Sequence, residues 1–221
     1  MLAISAVLLA SAGAGAATVT YGWEDGVGTI LGSFGNLVDD TNVSGVQPRI
    51  EGGVAVADVP GPNSGLRYLH VAEDPHGSTP QGYLVFIENL VPGDVVDASF
   101  FGYDTTLGSS PSMRIWGHYA LNGDINNYQG SASGNTTYTG DAVSGWEQVG
   151  HSWTVAAGKE ALVVELRLYS TPSTSDPNHT DFFVDDLSVT APNSASITVA
   201  PEPASLSLLA LGGLAILRRR R

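Results

Sequence analysis

Two pairs of adjacent carboxylates sit near opposite ends of the chain, Glu24 and Asp25 in the segment YGWEDG and Asp185 and Asp186 in the segment DFFVDDLSVT at 181–190. The second segment reads as a β-strand, because Phe182, Phe183, Val184, Leu187 and Val189 are apolar or strand-favouring and a breaker-rich loop at 171–178 precedes them. Neighbouring strand positions face opposite sides, so one aspartate of the pair is directed inward, and a buried carboxylate needs a cation or several donors. If the first and last strands lie together, one carboxylate from each pair can hold a Ca²⁺, a hard cation that takes oxygen ligands. The plainer alternative is that both pairs are solvated strand ends.

A second set of residues has the chemistry of a sugar site. Along 112–120, Met113, Ile115, Gly117 and Tyr119 fall on one face and Arg114, Trp116 and His118 on the other. Along 161–169, Leu162, Val164, Leu166 and Leu168 turn inward, leaving Glu165, Arg167 and Tyr169 outside. If the two outer sets share a sheet, that sheet offers aromatic rings for the apolar face of a pyranose and charged groups for its hydroxyls, with Tyr128 on the following loop at the rim. In the alternative, loops cover Trp116 and Tyr169, which then serve packing, while Arg114, Arg167 and Glu165 pair across strands. Trp23, Trp146 and Trp153 are assigned mainly to the core and its edges.

The elements that must position these groups are strands. Segments 54–59, 66–72, 82–88, 95–103, 113–121, 146–155, 161–169 and 182–190 are all strand-like, each bounded by Gly, Pro, Asn or Ser clusters. Such a series suggests a β-sandwich. Asn122-Gly123 and Pro92-Gly93 are turn signals, 130–140 reads as an exposed polar loop, and 193–200 as a linker. With 221 residues, 43% apolar, 27 Gly and no Cys, the chain can build one large core by packing alone, and a cysteine nucleophile or thiolate metal site is excluded.

Charge narrows the partners. Between residues 17 and 200 the chain has 21 acidic and five basic residues, the latter Arg49, Arg67, Arg114, Lys159 and Arg167. Such a surface repels phosphate backbones, so no nucleic-acid partner is expected. Enzyme signals are weak: there is no Gly-x-Ser-x-Gly, no His-Glu-x-x-His and no phosphate loop, and the five histidines are scattered. Among so many carboxylates a glycosidase pair can always be proposed, so proposing one carries no weight.

The two ends read as processing signals. Residues 1–17 are an apolar run followed by small residues with acceptable cleavage sites, the pattern of a secretory signal peptide, although no Lys or Arg lies near Met1. Residues 201–221 begin with Pro201, Glu202 and Pro203, continue through an apolar stretch at 204–217, and end in Arg218, Arg219, Arg220 and Arg221. As a helix the apolar stretch is about 21 Å long, short of the roughly 30 Å hydrocarbon core, and the arginines place the tail's end on the cytoplasmic side. In its three parts this tail resembles the PEP-CTERM sorting signal of Gram-negative bacteria. The resemblance implies recognition by an exosortase, transient anchoring in the inner membrane, and display at the cell surface or in the extracellular matrix. The alternative is a simple membrane anchor.

The chain between the signals resembles jelly-roll carbohydrate-binding modules of the family 4 and 9 type. The match lies in WEDG on the first strand, Asn63-Ser64-Gly65-Leu66 before a strand, the Pro92-Gly93 turn, the Trp153 strand, and the closing Phe-Phe-Val-Asp-Asp-Leu-Ser-Val. The chain departs from those modules in lacking Asn-Gly before the acidic residue and in having Trp23 where Phe is usual. The resemblance implies an all-β jelly-roll β-sandwich (galactose-binding-like) at 18–192 and a structural Ca²⁺ on Glu24 and Asp185. The function expected is a non-catalytic, exported surface protein that binds polysaccharide. Two alternatives stand beside it: a structural matrix or envelope protein with protein partners, and, ranked last, a polysaccharide lyase or hydrolase.

Overall fold

The computed structural model describes residues 15–24, 30–35, 37–44, 49–51, 54–56, 61–73, 79–104, 112–138, 145–169 and 180–199. The expected signal peptide, apart from its last three residues, and the expected C-terminal helix fall outside these, as do Asp25 and the sorting residues 201–203 and 218–221.

Alternating apolar and polar residues, punctuated by glycine and proline, produce strands throughout the described residues. In chain order they are β1 (Ala16–Tyr21), β2 (Gly32–Phe34), β3 (Leu37–Ser44), β4 (Arg49–Glu51), β5 (Val54–Val56), β6 (Arg67–Glu73) and β7 (Gln81–Glu88). There follow β8 (Val95–Asp104), β9 (Ser112–Ala120), β10 (Ser131–Tyr138), β11 (Glu147–Thr154), β12 (Ala161–Tyr169), β13 (Thr180–Pro192) and β14 (Ser196–Val199). Two antiparallel sheets form a jelly-roll sandwich. One runs β11-β8-β13-β6-β3 with β1 also on β13, and the other β10-β9-β12-β7-β14 with β2 also on β7; β4 and β5 make a separate hairpin.

The core lies between the sheets. Leu162, Val164, Leu166 and Leu168 of β12 meet Phe100 of β8 and Phe182, Val184, Leu187 and Val189 of β13 there, joined by Trp23 and Trp153. Burying a side chain of this size contributes roughly 1.5–3 kcal/mol, so this layer is the main source of stability. Two bulges adjust which residues face it. At β13 the register shifts between Asp185 and Ser188, so Val184 and Leu187 both turn inward although they are three positions apart, and Asp186 adopts a positive φ of 48°. At β7 the register against β12 shifts at Val164/Glu165, and Leu84 and Val85 both reach the core while Tyr83 and Phe86 both face out.

The first and last long strands do lie together: β1 pairs antiparallel with β13, from Ala16 opposite Pro192 to Tyr21 opposite Leu187. Three boundaries differ from the sequence reading. The stretch read as an exposed loop, 130–140, carries β10, which pairs with β9 through two register shifts. The stretch read as a linker, 193–200, carries β14, which pairs with β7 from Ser196 opposite Glu88 to Val199 opposite Val85. Ala16 and Ala17, read as the end of the signal, open β1. β10 and the start of β1 consist of small and polar residues with little hydrophobic pattern to read, whereas β14 is a four-residue edge strand that packs only Ile197 and Val199 against the core.

Candidate functional site

β9 and β12 are direct neighbours, with Trp116 opposite Glu165 and Arg114 opposite Arg167, so the two outer sets do share one sheet face. Because Met113, Ile115, Leu166 and Leu168 are in the core, Arg114, Trp116, His118, Glu165 and Arg167 leave the sheet on its far side. The arrangement there is layered. Glu165 is 0% exposed and His118 1%. One Glu165 oxygen meets His118 Nδ1, and Arg167 Nε donates to the other, Oε2, at 2.7 Å. Arg167 in turn lies over the Trp116 ring, 4.7 Å from its centroid, and Trp116 Nε1 donates to Ser131 Oγ at 3.0 Å.

Thus Glu165 and His118 are foundation and Trp116 and Arg167 are surface. Tyr83 packs edge-on to the His118 ring at 5.1 Å, and burial, with Glu165 nearby, raises its hydroxyl pKa. Tyr128, 61% exposed on the loop after β9, leans against His118 at 5.5 Å. Beyond them Phe86, Ala120, Ala161 and Val163 form a small apolar cluster under Leu31 and Ile125. Tyr169 ends β12 as expected, with its side chain outside the described set.

Glu24, Asp185 and Asp186 converge on a single segment, Asn63 to Arg67. Asp185 is 0% exposed, and its Oδ2 accepts from the Asn63 and Ser64 N–H groups at 2.9 and 3.2 Å while Oδ1 accepts from Asp186 N–H at 2.8 Å. Asp186 accepts from Asn63 Nδ2 at 2.7 Å and Ser64 Oγ at 2.6 Å. Glu24 accepts from the Leu66 N–H at 2.9 Å and the Arg67 N–H at 3.2 Å. Burial pushes the Asp185 carboxyl up to about 6, against the opposing pull of its backbone donors.

Thr20, Ser64, Glu24 and Asp186 line a hollow of about 260 Å³ beside this segment. Trp23 and Asp186 flank it with positive φ angles of 57° and 48°, backbone strain of about 1–2 kcal/mol each that the surroundings must hold. The donor set is all oxygen and suits a hard cation. Gly65, at φ 62°, leaves open the space of the Glu24 carboxylate, which a Cβ would enter. Among the described residues no group of three or more His, Asp or Glu side chains is placed to hold a metal, and these carboxylates are met by N–H and O–H donors, so only the oxygen lining favours a hard cation.

The sequence reading missed a third cluster, on the outer face of the β13 sheet. Tyr68 packs edge-on to Phe183 at 5.4 Å and to Trp146 at 5.9 Å, Tyr103 tilts against Trp146 at 5.6 Å, and His70 stacks on Phe183 at 4.9 Å. Trp146 thus lies on this outer surface and donates to Gly61 O at 2.9 Å. Burial, with Asp185 nearby, pushes the Tyr68 hydroxyl up to about 12. The signal available was the period of two that sets Tyr68 and His70 apart from Leu69 and Val71.

Residues 199–221 match the PEP-CTERM protein-sorting motif, so the chain carries a signal of exosortase-type export. The tandem CBM22-1–CBM22-2 domain of Paenibacillus barcinonensis Xyn10C is similar in structure at a TM-score of 0.50 and 16% identity, over 88% of this chain and 49% of that one. The single CBM22-1 xylan-binding domain of the same protein aligns over 78% of this chain and 92% of its own, at 17% identity and a TM-score of 0.47. The fold is therefore that of β-sandwich carbohydrate-binding modules. No curated protein matches the chain in sequence.

Proposed function

We propose that this is an exported, non-catalytic polysaccharide-binding protein whose ligand lies on the outer face of the β9–β12 sheet. The observation that carries the reading is the Trp116–Arg167 stack, held from beneath by Glu165 and His118. A flat aromatic ring beside an anchored guanidinium matches a pyranose, which offers an apolar face and a ring of hydroxyl acceptors. Arg114 extends the surface along the strands and Tyr128 onto the rim, and Tyr169, at the end of β12, is a further candidate from sequence. The commitment of the buried Glu165 carboxylate to His118 and Arg167 favours binding over hydrolysis, since a glycosidase acid must reach the glycosidic oxygen.

In this reading Glu24 and Asp185 hold a structural Ca²⁺, which would lock the 61–67 segment to the first and last strands. The tail is drawn into the inner membrane of a Gram-negative-type cell, processed by an exosortase near residues 201–203, and the domain is left at the cell surface or in the matrix.

The test is retention of the full chain, purified in mild detergent, on a panel of polysaccharides. Binding to at least one that is weakened by Trp116→Ala supports the reading. No retention on any, with self-association or protein partners instead, replaces it with a structural role.

A further inference from the structure

The sorting motif begins inside the sandwich. The match covers residues 199–221, and Val199 is the last residue of β14, which pairs with β7 from Ser196 opposite Glu88 to Val199 opposite Val85. Only Ala200 separates that strand from Pro201. Side chains hold β14 as well as its backbone: Ile197 and Val199 are half-buried and pack against the core beside Ala195. The turn leading into it is closed by Ala195 N–H on Pro192 O and Asn193 N–H on Gly15 O, both at 2.8 Å.

An enzyme that cuts a peptide binds it extended, through the backbone N–H and C=O groups around the bond. In β14 those groups are engaged by β7. On the other side, the apolar stretch opens at Ala204, and the five steps from Val199 to Ala204 span at most about 18 Å when fully extended. With that stretch in the membrane, residues 201–203 lie between a paired strand and an anchor, with little slack for an enzyme to close around them. β14 is the side that can yield. It is four residues long and lies at a sheet edge, the kind of element that opens at the low end of a fold's local stabilities. Its departure leaves β7 in place, because β12 pairs with Val85, Phe86 and Ile87 from the other side.

We infer that β14 is a releasable strand, which unpairs from β7 to feed the segment before Pro201 into the sorting enzyme and pairs again once the tail is cut. This rests on the exosortase reading above. Pairing again has its own reason. Among the described residues β2 covers the same edge only along 81–83, so β7 without β14 offers the backbone groups of 85–88 to any other strand. A cut near residues 201–203 falls beyond Val199 and keeps β14 with the domain.

The experiment clamps the strand. Thr198→Cys with Phe86→Cys puts cysteines at directly paired positions, whose Cα atoms in antiparallel strands are about 4.5–5.5 Å apart, within disulfide reach. The chain has no other cysteine. The full chain is exported in a Gram-negative cell whose exosortase cuts its own PEP-CTERM proteins, with and without reductant, and loss of the tail is followed by mass. Wild type gives the rate in each condition. Phe86→Cys also trims the cluster around Val163, so the oxidised pair variant is compared with its own reduced form. The oxidised form should be cut about tenfold or more slowly, since cutting tracks the population of the open strand. Inserting about ten Gly and Ser residues after Ala200 should restore its cutting. The same insertion in the wild-type chain should speed cutting, and this comparison decides if the pair variant fails to fold. Equal cutting of oxidised and reduced forms, or wild-type cutting unchanged by the insertion, overturns the inference and leaves the exosortase reading standing. A chain that keeps its tail with and without the insertion, while the host's own proteins lose theirs, overturns both.

Discussion

Arg167 and Glu165 lie two residues apart on one face of β12, and Arg167 Nε donates to Glu165 Oε2 at 2.7 Å while the other Glu165 oxygen meets His118. Desolvating a carboxylate costs several kcal/mol, which these two partners offset. Glu165→Gln removes the charge that compensates Arg167 and an acceptor that meets His118, and should cost about 3 kcal/mol of stability, read as a lower urea midpoint. A change within about 0.5 kcal/mol, ordinary for a surface substitution, would show that the pair is not the anchor of this face.

Gly65 sits at φ 62° with the Glu24 carboxylate where its Cβ would be. Gly65→Ala therefore combines left-handed strain with displacement of Glu24 from the Leu66 and Arg67 N–H groups, and should destabilise the fold by about 2 kcal/mol or more. Chemical denaturation measures it, and Ca²⁺ should stabilise this variant less than the wild type.

Ca²⁺ should raise the melting temperature and EDTA should reverse the rise. At a free concentration a hundredfold above its Kd the cation adds about 2.7 kcal/mol. Glu24→Gln should abolish the response. A melting curve indifferent to both Ca²⁺ and EDTA would remove the metal from the proposal.

His151 on β11 packs edge-on to Trp153 at 4.8 Å, and burial lowers its pKa below the usual 6.5. The unfolded chain then binds the proton more readily than the folded one. The contribution of His151 is fully present above pH 6.5 and is lost as pH falls through the folded value. His151→Gln should flatten this part of the acid slope. Melting temperatures of the two proteins between about pH 7 and 5 supply the comparison, and parallel curves would count against it.

Much of this was legible in the sequence because it depends on local period. The alternation along 161–169 assigns Leu162, Val164, Leu166 and Leu168 to the core and Glu165 and Arg167 to the other face, and the four apolar residues do pack in the core. The tail at 201–221 was recognisable because a sorting signal is read as sequence, and residues 199–221 match its family. The DFFVDDLSVT segment was identifiable as the closing strand for the same reason, though not its bulge, since nothing in that string says that Val184 and Leu187 face the same way.

What the tertiary structure decided is which residues meet. Cross-strand register puts Arg114 opposite Arg167, and sequence can place each on an outer face without revealing that they are partners. Burial of Glu165 and His118 depends on Tyr83, brought by another strand, and on Tyr128, brought by a loop. The segments read as loop and linker became β10 and β14 because an edge strand needs only a neighbour's free backbone groups, supplied to β10 by the preceding strand β9 and to β14 by β7 from far along the chain. Strand period is written into consecutive residues, whereas pairing is settled by distant ones, and that difference separates what the sequence alone determined from what required the fold.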